Sequence, residues 1–343
     1  MAENGTLSLL NRFAVVAGTA AASLGFIAPA ALAEVVVDGS STVFPITEAM
    51  AEEYGAETGT NVVVGVSGTG GGFKKFCVED GTDISNASRP IKPSEMAACA
   101  EAGVEYIEIP VAYDALTVVT NPSNTWATEM TVDQLNRLWD SSAENEATTW
   151  ADLDPSWPAD EIELYGPGAD SGTFDYFVEE VMGDGDSRAD YTASEDDNVL
   201  VIGVSGDVNA LGYFGLAYYV ENADLLNAVA IDNGDGPVLP SDTTVNNGTY
   251  SPFSRPIFIY VNKASLADPD VAGFVDYYIS NAPTIVPDVD YVALPTEIYS
   301  LSASLIDAQT AGTVFRRNDG VELAGQDLIE ILNLSRTLDA PAE

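Results

Sequence analysis

The sequence predicts an α/β fold in two lobes, with mixed, mostly parallel sheets and a ligand cleft between the lobes. Three observations carry that expectation. Short β-branched runs alternate with helix-like stretches, as in parallel α/β sheets. Three Ser/Thr-Gly turns each lie between a β-like run and a helix-like run: 39–42, 67–72 and 171–173. Two apolar runs far apart in the chain, 109–120 and 254–262, read as crossings between lobes, and no low-complexity linker or clear internal repeat separates them.

Val35-Val36-Val37 is a strand ending at Asp38-Gly39, and a helix begins around Thr42 to Pro45, since proline is tolerated in a first turn. Gly55 and Gly59 are expected to end it. Asn61 to Val66 reads as the second strand, followed by the glycine-rich turn and a helix through Cys77. Asp83 to Ser88 is a third extended piece, after which Ser94 is expected to cap a helix with Glu95 in its first turn. Ala115 to Thr120 reads as a strand and Thr131 to Trp139 as a capped amphipathic helix. A Trp/Pro/acid-rich loop covers 141–160, a strand 161–165 and a helix 174–182. The stretch 183–197 is polar and reads as an exposed loop; 198–206 and 211–220 are apolar elements. A long buried strand is expected at 252–262, and at least two helices after it, near 271–280 and 325–334.

Arg12, the apolar run from Phe13 to Ile27 and Ala31-Leu32-Ala33 fit a cleavable export signal over 1–33, so the exported protein is expected to start near Glu34. No cysteine follows that site, so nothing signals a lipid anchor. The lobes are expected to comprise 34–113 with 255–343, and 114–254. The chain has 54 Asp+Glu against 12 Lys+Arg, a formal net charge of −42, yet 46% hydrophobic residues, which argues for packed cores with an acidic surface suited to high salt. No basic patch marks a nucleic-acid partner. Histidine is absent, which excludes Ser-His-Asp and Cys-His catalysis. Cys77 and Cys99 are expected to pair in an exported chain, closing a loop worth about 3 kcal/mol in the loop-entropy model. Two isolated thiols make a poor metal site, the weaker reading.

A strand that turns through small hydroxyl residues into a helix presents free N–H groups at the positive end of the helix dipole. Several such turns, with Arg89 in Asn86-Ala87-Ser88-Arg89-Pro90, suggest helix N-termini converging on one anion. Each element also has a bland reading. The 39–42 turn and Ser171-Gly172-Thr173 could be plain helix caps, and Arg89 a structural ion pair. The run Gly70-Gly71-Gly72 is harder to explain without close backbone approach. Tyr213, Phe214, Tyr218 and Tyr219 read as core, and Arg255 as a brace between lobes or a secondary candidate.

Four segments, 38–45, 65–73, 83–91 and 170–174, resemble, in the family's order, the PstS-type phosphate-binding proteins of ABC importers, and the similarity extends over most of the chain. The resemblance implies a type II periplasmic binding protein, a monomer without cofactor, that traps inorganic phosphate and delivers it to a membrane permease rather than catalysing a reaction. Carried over by motif, the anion would be held by Ser41, Thr42 and the backbone of Val43 and Phe44. Ser67, Gly68, Thr69 and Gly70 follow, then Ser88 and Arg89, then Ser171, Gly172 and Thr173. Two positions depart from the family. Pro167 stands where some members have an arginine, and Ser88 where some have the aspartate that accepts the phosphate proton. Asp83 or Asp170 would then have to accept that proton, or selectivity against sulfate would relax. Sulfate, arsenate or molybdate binding, and less so a phosphate-ester hydrolase, are the alternatives.

Overall fold

The computed structural model describes residues 34–145, 148–169, 171–183, 185–316 and 328–338. The proposed export signal and Asp170 lie outside these residues. In chain order the elements are β1 Glu34–Gly39, α1 Phe44–Thr58, β2 Asn61–Val66, α2 Thr69–Phe76, β3 Ile84–Ala87, α3 Pro93–Ala102 and β4 Tyr106–Thr120. Next come β5 Glu129–Thr131, α4 Val132–Trp139, α5 Trp150–Leu153, β6 Glu163–Gly166, α6 Gly172–Met182, β7 Thr192–Ala193, α7 Asp197–Gly206, β8 Ala210–Gly215 and α8 Leu216–Glu221. The chain continues with β9 Asn227–Ala228, β10 Ala230–Asp232, α9 Asp242–Asn246, β11 Ser254–Asn262, α10 Pro269–Asp288, α11 Thr296–Asp307 and α12 Leu328–Leu332.

The strands form a curled mixed sheet in the order β2-β1-β3-β11-β4-β8-β6-β7. β1 runs parallel to β2 and β3, and β6 parallel to β7 and β8. β11 is antiparallel to both β3 and β4, and β4 to β8. β4 and β11 are therefore the seam of the sheet, where its two parallel groups of strands meet. Residues 106–115 of β4 pair with β11, and 116–120 pair with β8. All 15 residues of β4 are buried. A strand covered on both faces needs a continuous rather than an alternating apolar run, which is what its sequence offers.

Local chemistry explains the helix ends. Thr131 and Gln134 form the expected capping box, with Gln134 N donating to Thr131 Oγ1 at 3.1 Å and Thr131 N to Gln134 Oε1 at 2.9 Å. Gly59, not Gly55, ends α1, because only Gly59 takes the left-handed conformation, φ 79°. Ser94 is not a cap: Pro93 starts α3 and Glu95 Oε2 accepts from Lys92 N at 2.8 Å, so the cap lies two residues earlier. The 211–220 stretch splits into β8 and α8 at Gly215. Cys77 and Cys99 are disulfide-bonded, tying the end of α2 to α3. Among the described residues no helix is long and apolar enough to cross a membrane, and no cluster of three or more His, Cys, Asp or Glu could hold a metal.

Candidate functional site

The first three turns leave the C-terminal ends of β1, β2 and β3 and are hydrogen-bonded to one another. Ser40 N donates to Asn86 O at 3.0 Å, and Ser67 N to Gly39 O at 3.0 Å. Gly39 has φ 145° and lies so close to the Asn86 backbone that no Cβ fits. A Cβ on Gly72 would come within 2.6 Å of Gly39 Cα and 2.8 Å of Ser85 Oγ, so the glycine run presses α2 onto the first and third turns. The close approach anticipated for that run is thus partly an approach of backbone to backbone.

The fourth turn arrives from α6. A Cβ on Gly172 would lie 3.2 Å from Thr42 Oγ1 and 3.3 Å from Thr42 Cα, so the start of α6 abuts the start of α1. Ser41, Phe44, Ser171, Gly172 and Thr173 line one cleft of about 700 Å³, and Tyr291, also on its wall, donates its hydroxyl to Thr42 O at 2.6 Å. Val43 and Gly68, the caps of α1 and α2, make no side-chain cap; at α1 the Phe44 N–H donates to Ser40 O at 3.1 Å and Pro45 has none to offer, so it is the start of α2 that has first-turn N–H groups for another acceptor. Ser171 caps α6 through Thr173 N.

The hydroxyls of the second and third turns are already engaged. Ser67 donates to Asp38, whose other oxygen accepts from Lys75 Nζ at 2.6 Å. Thr69 Oγ1 lies 3.1 Å from Ser88 Oγ and accepts from Ser88 N at 3.1 Å, which joins these two turns. Arg89 is forked onto Glu95, with both contacts at 2.9 Å, and also donates to Pro90 O. It lines a second cavity, about 350 Å³, with Ser88, Lys92, Arg255 and Arg316. Asp83 stands at the opposite end of β3 from Ser88, about 16 Å away at 3.3 Å per residue, and accepts from Val36 N at 2.9 Å. It is therefore no proton acceptor for this site.

Sequence reasoning missed the acidic wall of the larger cleft: Asp114, Glu195, Asp197, Asp288 and Asp290. Asp197 is pushed up to about 7 by burial and by Asp290, Asp196 and Glu195, against a hydrogen bond from the Gly215 backbone that lowers it. Asp114 is raised by burial and Glu179, although Arg255 pulls it down. An aspartate inside the apolar 109–120 run was the available signal, since a carboxylate buried in a strand requires a partner. That partner is Arg255, directly opposite on β11, with Nε 3.3 Å from Asp114 Oδ2. Tyr213 and Phe214 are core, whereas Tyr218 lines the cleft.

Residues 25–282 match the family model described as PBP superfamily domain. The chain is 47% identical over 299 residues to protein SphX of Synechocystis sp., covering 86% of this chain and 89% of that one. It is 38% identical over 278 residues to the phosphate-binding protein PstS of Staphylococcus saprophyticus, covering 80% and 84% respectively. A crystal structure of a possible phosphate-binding protein from Planctomyces limnophilus superposes with a TM-score of 0.76 at 44% identity, covering 80% of this chain and 98% of that chain.

Proposed function

The chain belongs to the PBP superfamily and to its PstS-type phosphate-binding family, and from that premise we propose that it binds inorganic phosphate and delivers it to the permease of an ABC importer. The carrying observation is the abutment of Gly172 on Thr42, which brings the turns before α1 and α6 to one cleft. The proposed ligands are the first-turn N–H groups of α1, α2 and α6, from Val43, Phe44, Thr69, Gly70, Gly172 and Thr173. The hydroxyls of Ser41, Thr42, Ser67, Thr69, Ser88, Ser171 and Thr173 complete the shell, with Ser67 turning from Asp38, and Thr69 and Ser88 from each other, as the anion enters; Gly68 shapes the second turn and an arginine supplies charge.

A desolvated phosphate needs this many donors because each unsatisfied oxygen is expensive. Helix N-termini suit it because their N–H groups and dipoles are fixed before it arrives. The lobes would be 34–113 with 255–343, and 114–254, hinging on β4 and β11 and closing over the ion. Export after cleavage near Ala33, and action as a monomer, complete the reading.

Calorimetric titration of residues 34–343 with phosphate in molar KCl, with and without excess sulfate, tests it. One-to-one binding that sulfate leaves intact is expected. Binding abolished by sulfate would make it a general oxyanion carrier. Turnover of a chromogenic phosphomonoester would contradict a pure binding role.

A further inference from the structure

We propose that Arg255, oriented by Asp114, supplies the positive charge that recognises the anion, and that Arg89 is a structural residue. The inference rests on the phosphate reading and concerns which cation serves it. Arg89 has both guanidinium nitrogens Nη1 and Nη2 on the two oxygens of Glu95, and its first-named nitrogen shared with Pro90 O. A fork matched to a carboxylate in this way has little left to offer a second anion. Glu95 in turn holds Lys92 N at the start of α3, so the pair fixes a helix end.

Arg255 is placed differently. Its partner Asp114 lines the large cleft beside Ser41, Phe44 and the fourth turn, while Arg255 itself lines the smaller cavity beside Ser88 and Arg89. The ion pair is thus the wall between the two halves of the candidate site. The guanidinium lies 3.8 Å above the Tyr176 ring and bonds Glu179 Oε2 through Nη1 at 2.9 Å, both residues belonging to α6. Its charge is felt by Asp175 in the first turn of α6 and by Tyr291, which holds the Thr42 carbonyl. Nη2 has no hydrogen-bond acceptor among the described residues. Tyr176 and Asp114 fix the plane and the reach of the guanidinium, so little rotamer freedom is lost when an oxyanion arrives. A cation held between β11 and α6 would also be the element that senses closure.

The test compares two charge-neutral double variants, Arg255→Gln with Asp114→Asn and Arg89→Gln with Glu95→Gln, neither of which leaves a buried charge unpaired, since Glu179, the other partner of Arg255, is exposed. Inorganic phosphate is titrated by calorimetry, and the thermal midpoint is read without phosphate. The first pair is expected to weaken binding at least about thirtyfold with a midpoint near that of the parent, and the second to stay within about threefold. Arg255→Lys, which keeps the charge at the same strand position but not the planar fork held over Tyr176, should recover only part of the binding lost with glutamine. Parent-like affinity in the first pair, or the larger loss in the second, overturns the assignment. Should the first pair fail to fold, the second still decides, since loss of binding there returns the charge to Arg89. A parent protein that binds no phosphate fails the functional reading itself, a result distinct from either.

Discussion

The tetrapeptide Ser-Arg-Pro-Ile occurs at 88–91, where β3 ends, and at 254–257, where β11 begins. Because β3 and β11 are antiparallel neighbours, both copies border the same small cavity. Identical residues nevertheless lead different lives. Arg89 bonds Glu95, six residues away, and its work is local. Arg255 bonds Asp114 and Glu179, 141 and 76 residues away, and ties the seam of the sheet to α6. The cavities on either side differ as sharply. One is bordered by the four cations Arg89, Lys92, Arg255 and Arg316 together with Glu179 and Glu180, the other by five carboxylates and, among the described residues, no cation, with Arg255 and Asp114 as the shared wall. What an arginine does here depends on the carboxylate that folding brings to it.

The largest expected effect separates the two arginines by stability. Arg255→Met leaves Asp114 buried without a cation and should cost about 3–5 kcal/mol. Arg89→Met leaves Glu95 at a helix start with Lys92 N still bonded, and should cost about 1 kcal/mol. Denaturant unfolding in molar KCl measures both, and equal losses would break the comparison.

Next, Gly172→Val should force the fourth turn away from Thr42 and weaken phosphate binding at least tenfold, about 1.4 kcal/mol, while changing the unfolding midpoint little. Unaltered affinity would mean that the abutment of α6 on α1 is only packing.

The acidic side makes a pH prediction. Asp197 keeps its proton up to about 7 in the folded protein, whereas an unfolded aspartate loses it near the ordinary carboxylate value. The folded state therefore binds more protons between those limits, and the stability from this group is full at low pH and lost as pH rises through about 7. Asp197→Asn should remove that decline, so the variant gains on the parent as pH rises from about 4 to about 7. A stability difference independent of pH would contradict it.

The smallest effect is one of salt. With a net charge of −42, the midpoint should rise with KCl as surface repulsion is screened over about 3 Å in molar salt. A flat or falling midpoint would count against an acidic surface adapted to high salt.

Much of this architecture was legible in the sequence because it is local. Strand runs such as Val35-Val36-Val37, the Thr131 cap and the pairing of Cys77 with Cys99 in the fold correspond to short-range patterns. The seam was legible too, since a strand covered on both faces must read as an unbroken apolar run. What escaped were contacts between distant segments. Nothing near Arg89 or Arg255 in the chain says which will meet Glu95 and which Asp114. Asp83 looked close to the anion because it is five residues from Ser88, but an extended strand carries five residues about 16 Å. Ser94 looked like a cap because it is a serine, but Pro93 fixes the first turn one residue earlier and Glu95 bonds Lys92 N.

The most direct test of the central claim is the backbone amide spectrum of isotope-labelled residues 34–343 during titration with phosphate. The account predicts that the amides of Val43, Phe44, Thr69, Gly70, Gly172 and Thr173 shift together and saturate at one equivalent. Shifts confined to other segments, with these six unmoved, would contradict it.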